Sequence, residues 1–112
     1  MNEGVLTRIA FGGERAHTGD HPPVLLSGPK KADAGAFPVG LLLAVDAAGE
    51  LFAYTGTGTL AGVCDEPSDA DAADCVYLVH GIVKARLLSR AGGTAAETAD
   101  IGELRQLGIF AL

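Results

Sequence analysis

The sequence predicts a mainly β fold with a small α part (α+β), and three observations favour it. Glycine accounts for 16 of the 112 residues, against a usual share of about 7%, which favours many tight turns. Short apolar segments alternate with clusters of turn-forming residues, which is typical of short strands. One segment near the C-terminus has the apolar spacing of an amphipathic helix. A chain of this length is expected to form one domain.

The composition argues against several function classes. The formal net charge is −6, whereas binding to nucleic-acid phosphates requires a basic face. The apolar run 39–45 is far shorter than the ~20 residues of a membrane span. The N-terminus lacks the basic-then-apolar pattern of an export signal. Cys64 and Cys75 are too few for a secreted disulfide framework, so we expect two buried thiols in a reducing compartment.

The N-terminal part contains one isolated strand candidate. Residues 5–11 (VLTRIAF) have strand character, and the polar, turn-rich segment 12–23 follows them, so no hairpin partner lies nearby. The N–H and C=O groups of an unpaired strand need partners. We therefore expect residues 1–12 to form a flexible arm that pairs with another chain. Residues 24–27 form the next short strand candidate.

A hairpin is predicted in the middle of the chain. The continuous apolar run 39–45 suits a strand that is covered on both faces. Asp46 and Gly49 occupy the first and last positions of a type I turn. Residues 51–55 then return as the partner strand, and residues 60–64 form a further strand.

The longest predicted strand follows an acidic segment. Residues 65–74 contain five acidic side chains and show no periodicity, so we expect an exposed loop. Residues 75–88 (CVYLVHGIVKARLL) then alternate in polarity. The alternation predicts one face with Tyr77, Val79, Val83, Ala85 and Leu87, and an opposite face with His80, Lys84 and Arg86. Gly81 predicts a bulge or a close approach of another backbone.

One helix is predicted near the C-terminus. Thr94 and Glu97 have the spacing of a capping box, and Gly108 is placed to end the helix. The apolar face of this helix consists of Ile101, Leu104 and Leu107. We expect that face to share a core with the strand at 76–83. Residues 109–112 remain as an apolar tail.

No pattern of a catalytic or cofactor-binding site stands out. Gly56, Gly58 and Gly62 miss the spacing of a dinucleotide-binding motif, and an acidic loop follows them where a helix is needed. We therefore expect that the protein is not an enzyme and that it binds no cofactor.

A metal site is not expected either. His17 and His21 flank Asp20, but no third ligand lies at a suitable spacing, and polar loops often contain these residue types for solvation alone. His80 stands alone on the polar side of its strand. An alternative remains open, in which these three histidines serve a small metal-binding β-barrel protein.

The second half of the chain resembles a known family. Its segments run in the order of a hairpin within 35–54, the step Gly62-Val63, the acidic loop, and the strand VYLVHGIVKARLL. The most distinctive pieces are V-x-L-V-x-G at 76–81 and L-x-x-L-G-I at 104–109. In this order and spacing they resemble the head decoration proteins of tailed phages. The resemblance covers residues 32–112 and, more loosely, the N-terminal arm.

The resemblance implies a fold and a role. The fold is a compact β-clip-like domain of short strands over 13–112, with one C-terminal helix and an extended arm at 1–12. The role is that of a structural protein of a phage or prophage virion. The resemblance implies that homotrimers of this chain bind at three-fold positions outside the expanded head and stabilise the head. Assembly would take place in the bacterial cytoplasm.

The partners implied are the major capsid protein and further copies of this chain, with no nucleic acid and no membrane. The arm would contact the capsid protein through Val5, Leu6, Thr7, Arg8, Ile9 and Phe11. Another non-enzymatic virion component is the alternative closest to this role. A biotinyl or lipoyl carrier domain fits poorly, because the tip of the predicted hairpin at 46–49 has no lysine.

Overall fold

The computed structural model describes residues 13–19 and 22–112. The predicted arm at 1–12, together with Asp20 and His21, lies outside the described residues. Within them the chain forms six strands and one α-helix. The strands are β1 (Val24–Pro29), β2 (Leu42–Val45), β3 (Leu51–Ala53), β4 (Thr59–Cys64), β5 (Asp74–Val83) and β6 (Ile109–Ala111), and the helix is α1 (Thr98–Leu107). The prediction of a mainly β fold with one C-terminal helix is confirmed.

The strands form a single, mostly antiparallel sheet. Its order is β1-β5-β4-β2-β3, and β6 pairs with β5 in parallel. The predicted hairpin is present, because β2 pairs with β3 through Val45 and Leu51. Its turn has the expected hydrogen bond from the Gly49 N–H to the Asp46 carbonyl, at 3.0 Å. The strand at 39–45 is shorter than predicted, because it begins at Leu42.

The two ends of this strand order approach each other. Lys30, directly after β1, forms a parallel bridge with Leu51 of β3. The N–H of Lys31 also donates to the Leu51 carbonyl at 2.8 Å. The sheet therefore curls, so that the chain segment following one edge strand meets the other edge strand.

Strand β5 is paired along both of its edges. The Thr18 N–H donates to the Ile82 carbonyl and the Lys84 N–H to the Ala16 carbonyl, both at 2.9 Å. On the opposite edge, the Gly81 N–H donates to Gly108 and the Leu112 N–H to Val83. Residues 16–18 thus continue the edge occupied by β1, and β6 continues the edge occupied by β4.

A bulge lies in the middle of β5. Val24 pairs with His80 whereas Leu25 pairs with Leu78, so β5 has one extra residue at this point. Gly81 follows with φ of 139°, and a Cβ there would lie 3.3 Å from the Cα of Pro23. The close backbone approach predicted for Gly81 is confirmed.

The bulge also overturns the predicted faces of β5. Leu78 before the bulge and Val83 after it both belong to one core cluster, whereas Tyr77 packs against another. Tyr77 and Val83 therefore lie on opposite sides of the sheet, because the extra residue shifts the alternation by one. The strand also ends at Val83, and Ala85–Leu87 form a 3₁₀ turn instead of its continuation.

Two apolar clusters occupy the two sides of the sheet. The helix-covered cluster contains Leu42, Val63 and Leu78 together with Leu104 of α1. The cluster on the other side contains Phe37, Leu43 and Leu51, together with both cysteines. The predicted core shared by the helix and the strand at 76–83 is confirmed for Leu104, which is fully buried. It is wrong for Leu107, which is 44% exposed.

The helix begins later than predicted. Its N-cap is Glu97, and Asp100 in the first turn accepts a hydrogen bond from the Glu97 N–H at 2.8 Å. Thr94 lies outside the helix, so the prediction that it caps the helix is wrong by three residues. Gly108 ends the helix in the left-handed conformation, as predicted. The tail after it is a strand, β6, which the sequence analysis missed.

Candidate protein-contact surface

Several large apolar side chains lie exposed on one side of the sheet. Val24 and Leu26 of β1 are each 46% exposed, Phe110 of β6 is 45% exposed, and Leu112 is 76% exposed. Ile82 of β5 pairs with Phe110 and is partly exposed. We call the surface formed by these five side chains the open face.

The strand register places these side chains on the same side of the sheet. Paired residues of neighbouring strands point to the same side, and successive residues point to opposite sides. Val83 and Ile109 are buried in the helix-covered cluster, so Ile82 and Phe110 point away from the helix. Val24 pairs with the exposed His80, two residues before Ile82. The open face therefore runs across β1, β5 and β6 on the side opposite the helix.

Apolar surface of this kind is informative when it is contiguous. Isolated exposed apolar residues are normal on proteins, but a group of them on one face indicates a contact with another molecule. Four of the five open-face side chains are large aliphatic groups, and the fifth is a phenylalanine. These side chains can be buried against the surface of another protein.

The predicted arm joins the described fold beside the open face. Residues 16–18 pair with β5 at Ile82 and Lys84, and the Ala85 N–H donates to the Leu112 carbonyl at 2.9 Å. Segment 13–18, which we call the arm root, therefore lies within a strand's width of the open face.

Charged side chains hold the outer end of the arm root. Glu14 accepts hydrogen bonds from Lys84 at 3.0 Å and from Arg86. The hydrogen bonds from Arg86 and Lys84 hold the pKa of the Glu14 carboxyl below its usual value. This cluster is largely exposed, and exposed ion pairs stabilise proteins little. This cluster positions the chain at Glu14, and salt screens its attraction.

A buried carboxylate holds the inner end of the arm root. Asp65 follows β4, and its side chain is fully buried. Its Oδ2 accepts from Arg15 Nε at 2.8 Å and lies 2.7 Å from Nη2 of the same guanidinium. Its Oδ1 accepts from the backbone N–H of His17 at 3.0 Å and lies 2.9 Å from His17 Nδ1. Because an ionised carboxylate only accepts, that Nδ1 carries a hydrogen.

The buried position of Asp65 and its contacts with the arm root were not predicted from the sequence. Asp65 and Ser68 are buried, so the expectation of an exposed loop over 65–74 is wrong for its first half. Ser68 pairs with Phe37 through two backbone hydrogen bonds of 2.8 and 2.9 Å, and Lys30 Nζ donates to the Ser68 hydroxyl at 3.0 Å. Arg15 and Asp65 lie 50 residues apart in sequence, so no local pattern predicts their pairing.

The chain matches no protein-family model and no curated protein sequence. The candidate contact surface therefore rests on its own residues and on the resemblance of the motifs at 76–81 and 104–109 to those of head decoration proteins.

The residues predicted to bind capsid protein lie outside the described part of the structure. These are Val5, Leu6, Thr7, Arg8, Ile9 and Phe11. The arm root and the open face add described residues to that predicted site. Residues 109–112 are apolar throughout, so their sequence does not show the alternation of polarity that would have predicted β6.

The histidines of the metal-binding alternative are not all placed. His17 contacts Asp65 at the arm root, His80 lies across the sheet beside Gly108, and His21 is outside the described residues. Over residues 13–19 and 22–112, no group of three or more His, Cys, Asp or Glu side chains is arranged to hold a metal ion. No pocket was found in the same part of the chain.

The cysteines lie in the second core cluster. Both are free thiols, and both are buried as predicted. Burial raises the pKa of Cys64 to about 12 and that of Cys75 to about 11. The Cys64 thiol donates to the Glu66 carbonyl at 3.0 Å. Both side chains therefore act here as small apolar groups that pack against Phe37 and Leu43.

The described helix α1 is short. α1 has ten residues, and no helix in the described part of the chain has the length and apolar character needed to cross a membrane.

Proposed function

We propose that this chain is a capsid decoration protein of a tailed phage or prophage, which binds the outside of the expanded head and stabilises it. The observation that carries the proposal is the open face beside the anchored root of an apolar arm. The resemblance of the motifs at 76–81 and 104–109 to the head decoration family supports the same role. Residues 13–112 then act as one β-clip-like domain, and residues 1–12 as a flexible arm.

The arm and the open face both bind the major capsid protein in this proposal, on neighbouring subunits of the shell. The arm adds as an extra strand to the major capsid protein, through Val5, Leu6, Thr7, Arg8, Ile9 and Phe11, because backbone pairing satisfies its N–H and C=O groups. The open face lies on the subunit beneath the domain. The open face buries its apolar side chains against that capsid surface.

The dimensions allow such a bridge. The described fold measures 39 × 32 × 23 Å, and a fully extended arm of 12 residues spans up to about 40 Å. An arm of that reach can contact a capsid subunit beyond the one on which the domain sits. A protein that contacts two subunits at once adds more binding free energy to the assembled shell than to the separated subunits.

Stabilisation of the head then follows from mass action. A ligand that binds only the intact expanded shell shifts the equilibrium towards that shell. Three copies gathered around a three-fold position add avidity, since each bound copy raises the effective concentration of the next. This role requires contact surfaces and no catalytic group, no metal and no cofactor.

Co-sedimentation with capsid shells tests the proposal. The shells are assembled from the major capsid protein of the proposed phage or prophage and are then expanded. The full-length chain should co-sediment, whereas a variant lacking residues 2–11 should bind about tenfold more weakly or worse, a loss of 1.4 kcal/mol or more. The variant should melt within a few degrees of the full-length chain by circular dichroism, because residues beyond the domain contribute little to its core.

A matched pair of substitutions tests the open face in the same assay. Phe110→Ser changes the open face, and Leu107→Ser changes a side chain of similar exposure on the helix. Weaker co-sedimentation for Phe110→Ser alone supports the open face as a contact. Undiminished binding of both the arm deletion and Phe110→Ser would contradict the proposed contact surface.

A further inference from the structure

The arm root is fixed to the fold by a buried acidic group. In the described structure, the hydrogen bonds to the Asp65 carboxylate come from Arg15 and His17. Arg15 also donates to Glu66 through Nη2 at 2.6 Å. The backbone N–H of Asp65 donates to the Val76 carbonyl at 3.0 Å, which fixes the carboxylate relative to β5. One buried side chain thus connects the arm root to the strands β4 and β5.

The burial of the Asp65 carboxylate strengthens the attachment of the arm root. A carboxylate that is removed from water is costly unless hydrogen bonds and opposite charge compensate it. If the arm root detached, Asp65 would lose its partners and would have to be rehydrated. Detachment is therefore opposed by more than the two backbone hydrogen bonds that pair Ala16 and Thr18 with β5.

The position of Asp65 matters for an arm that bears load. An arm attached to a neighbouring subunit pulls on the chain at Gly13, and the first groups to resist are those of residues 14–17. Glu14 is held by the exposed side chains of Lys84 and Arg86, which salt screens. Arg15 and His17 are held by a carboxylate that solvent does not reach.

We propose that Asp65 is a positioning residue for the arm, which clamps residues 15–17 onto the edge of β5 and so fixes where the arm leaves the domain. The clamp itself is a property of the free protein. Its effect on shell binding rests on the proposed function. With the clamp intact, the arm leaves from the edge of β5 at Ile82 and Lys84, so the arm and the open face reach the shell together. Without it, the arm is tethered by a longer, mobile segment, which lowers the effective concentration of one contact for the other.

The test compares two buried carboxylates in the full-length chain. Asp65→Asn keeps the shape of the side chain but removes its charge and one acceptor atom. Asp100→Asn makes the same change at a carboxylate that is also buried and also paired with an arginine, Arg90, at 2.7 Å. Asp100 lies in the first turn of α1 and does not contact the arm root. Any effect of losing a buried ion pair in general is therefore shared by both variants.

Limited trypsin digestion of the free protein reads the clamp directly. Cleavage after Arg15 requires the arm root to leave β5, and its rate follows the population of the detached form. Asp65→Asn should raise that rate about tenfold or more, and Asp100→Asn should leave it within about twofold after correction for global stability. Arg15→Lys serves as a second variant, since it keeps the charge and the trypsin site but loses the guanidinium fork. It should raise the rate even if Asp65→Asn does not fold.

Shell binding of the same variants reads the positioning role. Asp65→Asn should weaken co-sedimentation with expanded shells about tenfold at unchanged arm sequence, while Asp100→Asn binds as the unsubstituted chain does. Unchanged cleavage after Arg15 in both Asp65→Asn and Arg15→Lys would overturn the clamp. Faster cleavage with undiminished shell binding would overturn the positioning role. If the unsubstituted chain fails to bind shells, the proposed function fails, and the trypsin rates still decide the clamp.

Discussion

Leu104 and Leu107 illustrate how single residues of one helix differ in what they contribute. Both belong to the apolar face that the helical spacing predicts, but Leu104 is fully buried and Leu107 is 44% exposed. Leu104 packs in the same cluster as Leu78 and Val83 of β5. Of these two leucines, Leu104 therefore faces the core and Leu107 faces solvent.

This difference gives a prediction with an internal control. Leu104→Ala should lower the free energy of unfolding by about 2–5 kcal/mol, since it removes a buried side chain and leaves a cavity. Leu107→Ala should cost less than about 1 kcal/mol, because surface substitutions have small effects. Urea titration of both variants measures the two values. Equal losses would contradict the packing of α1 described above.

At the scale of elements, local signals predicted the strands and the hairpin, and non-local contacts decided the rest. The turn at Asp46 and Gly49 and the helix stop at Gly108 could be read from sequence because the residues involved are neighbours. The bulge in β5 depends on pairing with β1, and the pairing of β6 with β5 is equally non-local. The burial of Asp65 depends on Arg15, 50 residues earlier. Periodicity cannot reveal such contacts.

The start of the helix was predicted three residues early for a related reason. Thr94 and Glu97 have the spacing of a capping box, but Glu97 and Asp100 have the same spacing. Tertiary contact selects the second pair, because Asp100 is buried and bound by Arg90 through two hydrogen bonds of 2.7 and 2.9 Å. The sequence alone offers both starting points and does not choose between them.

The choice of cap can be measured. Asp100→Ala should lower the free energy of unfolding by about 3 kcal/mol, the low end of the range for breaking a buried pair, because Arg90 is partly exposed. Thr94→Ala should cost less than about 0.5 kcal/mol, as expected of an exposed residue outside the helix. Chemical denaturation at pH 7 compares the two, and a larger loss for Thr94→Ala would contradict the assignment of the N-cap.

The same carboxylate predicts a dependence on pH. The hydrogen bonds from Arg90 hold the pKa of Asp100 below its usual value. A group whose pKa is lower in the folded state stabilises the fold above its unfolded pKa and loses that contribution as the pH falls. The difference in stability between the unsubstituted chain and Asp100→Ala should therefore shrink on acidification below about pH 4.

At the scale of the whole molecule, the fold presents the open face next to the arm root. The sheet is covered by the helix on one side of β5 and β6, and the open face lies on the other. The arm root is attached along one edge of β5, between the helix-covered side and the open face. This arrangement favours contact through a strand and through a face together, as the proposed binding to two neighbouring capsid subunits requires.

The most direct test of the central claim is the binding of the full-length chain to capsid shells before and after expansion. Shells of the proposed partner, the major capsid protein, are titrated with the chain, and the bound amount is measured by sedimentation and quantitative gel analysis. We predict saturable binding to expanded shells, at three copies for every three-fold position, and little or no binding to unexpanded shells. Equal binding to both forms, or none to either, would contradict the role as a stabiliser of the expanded head.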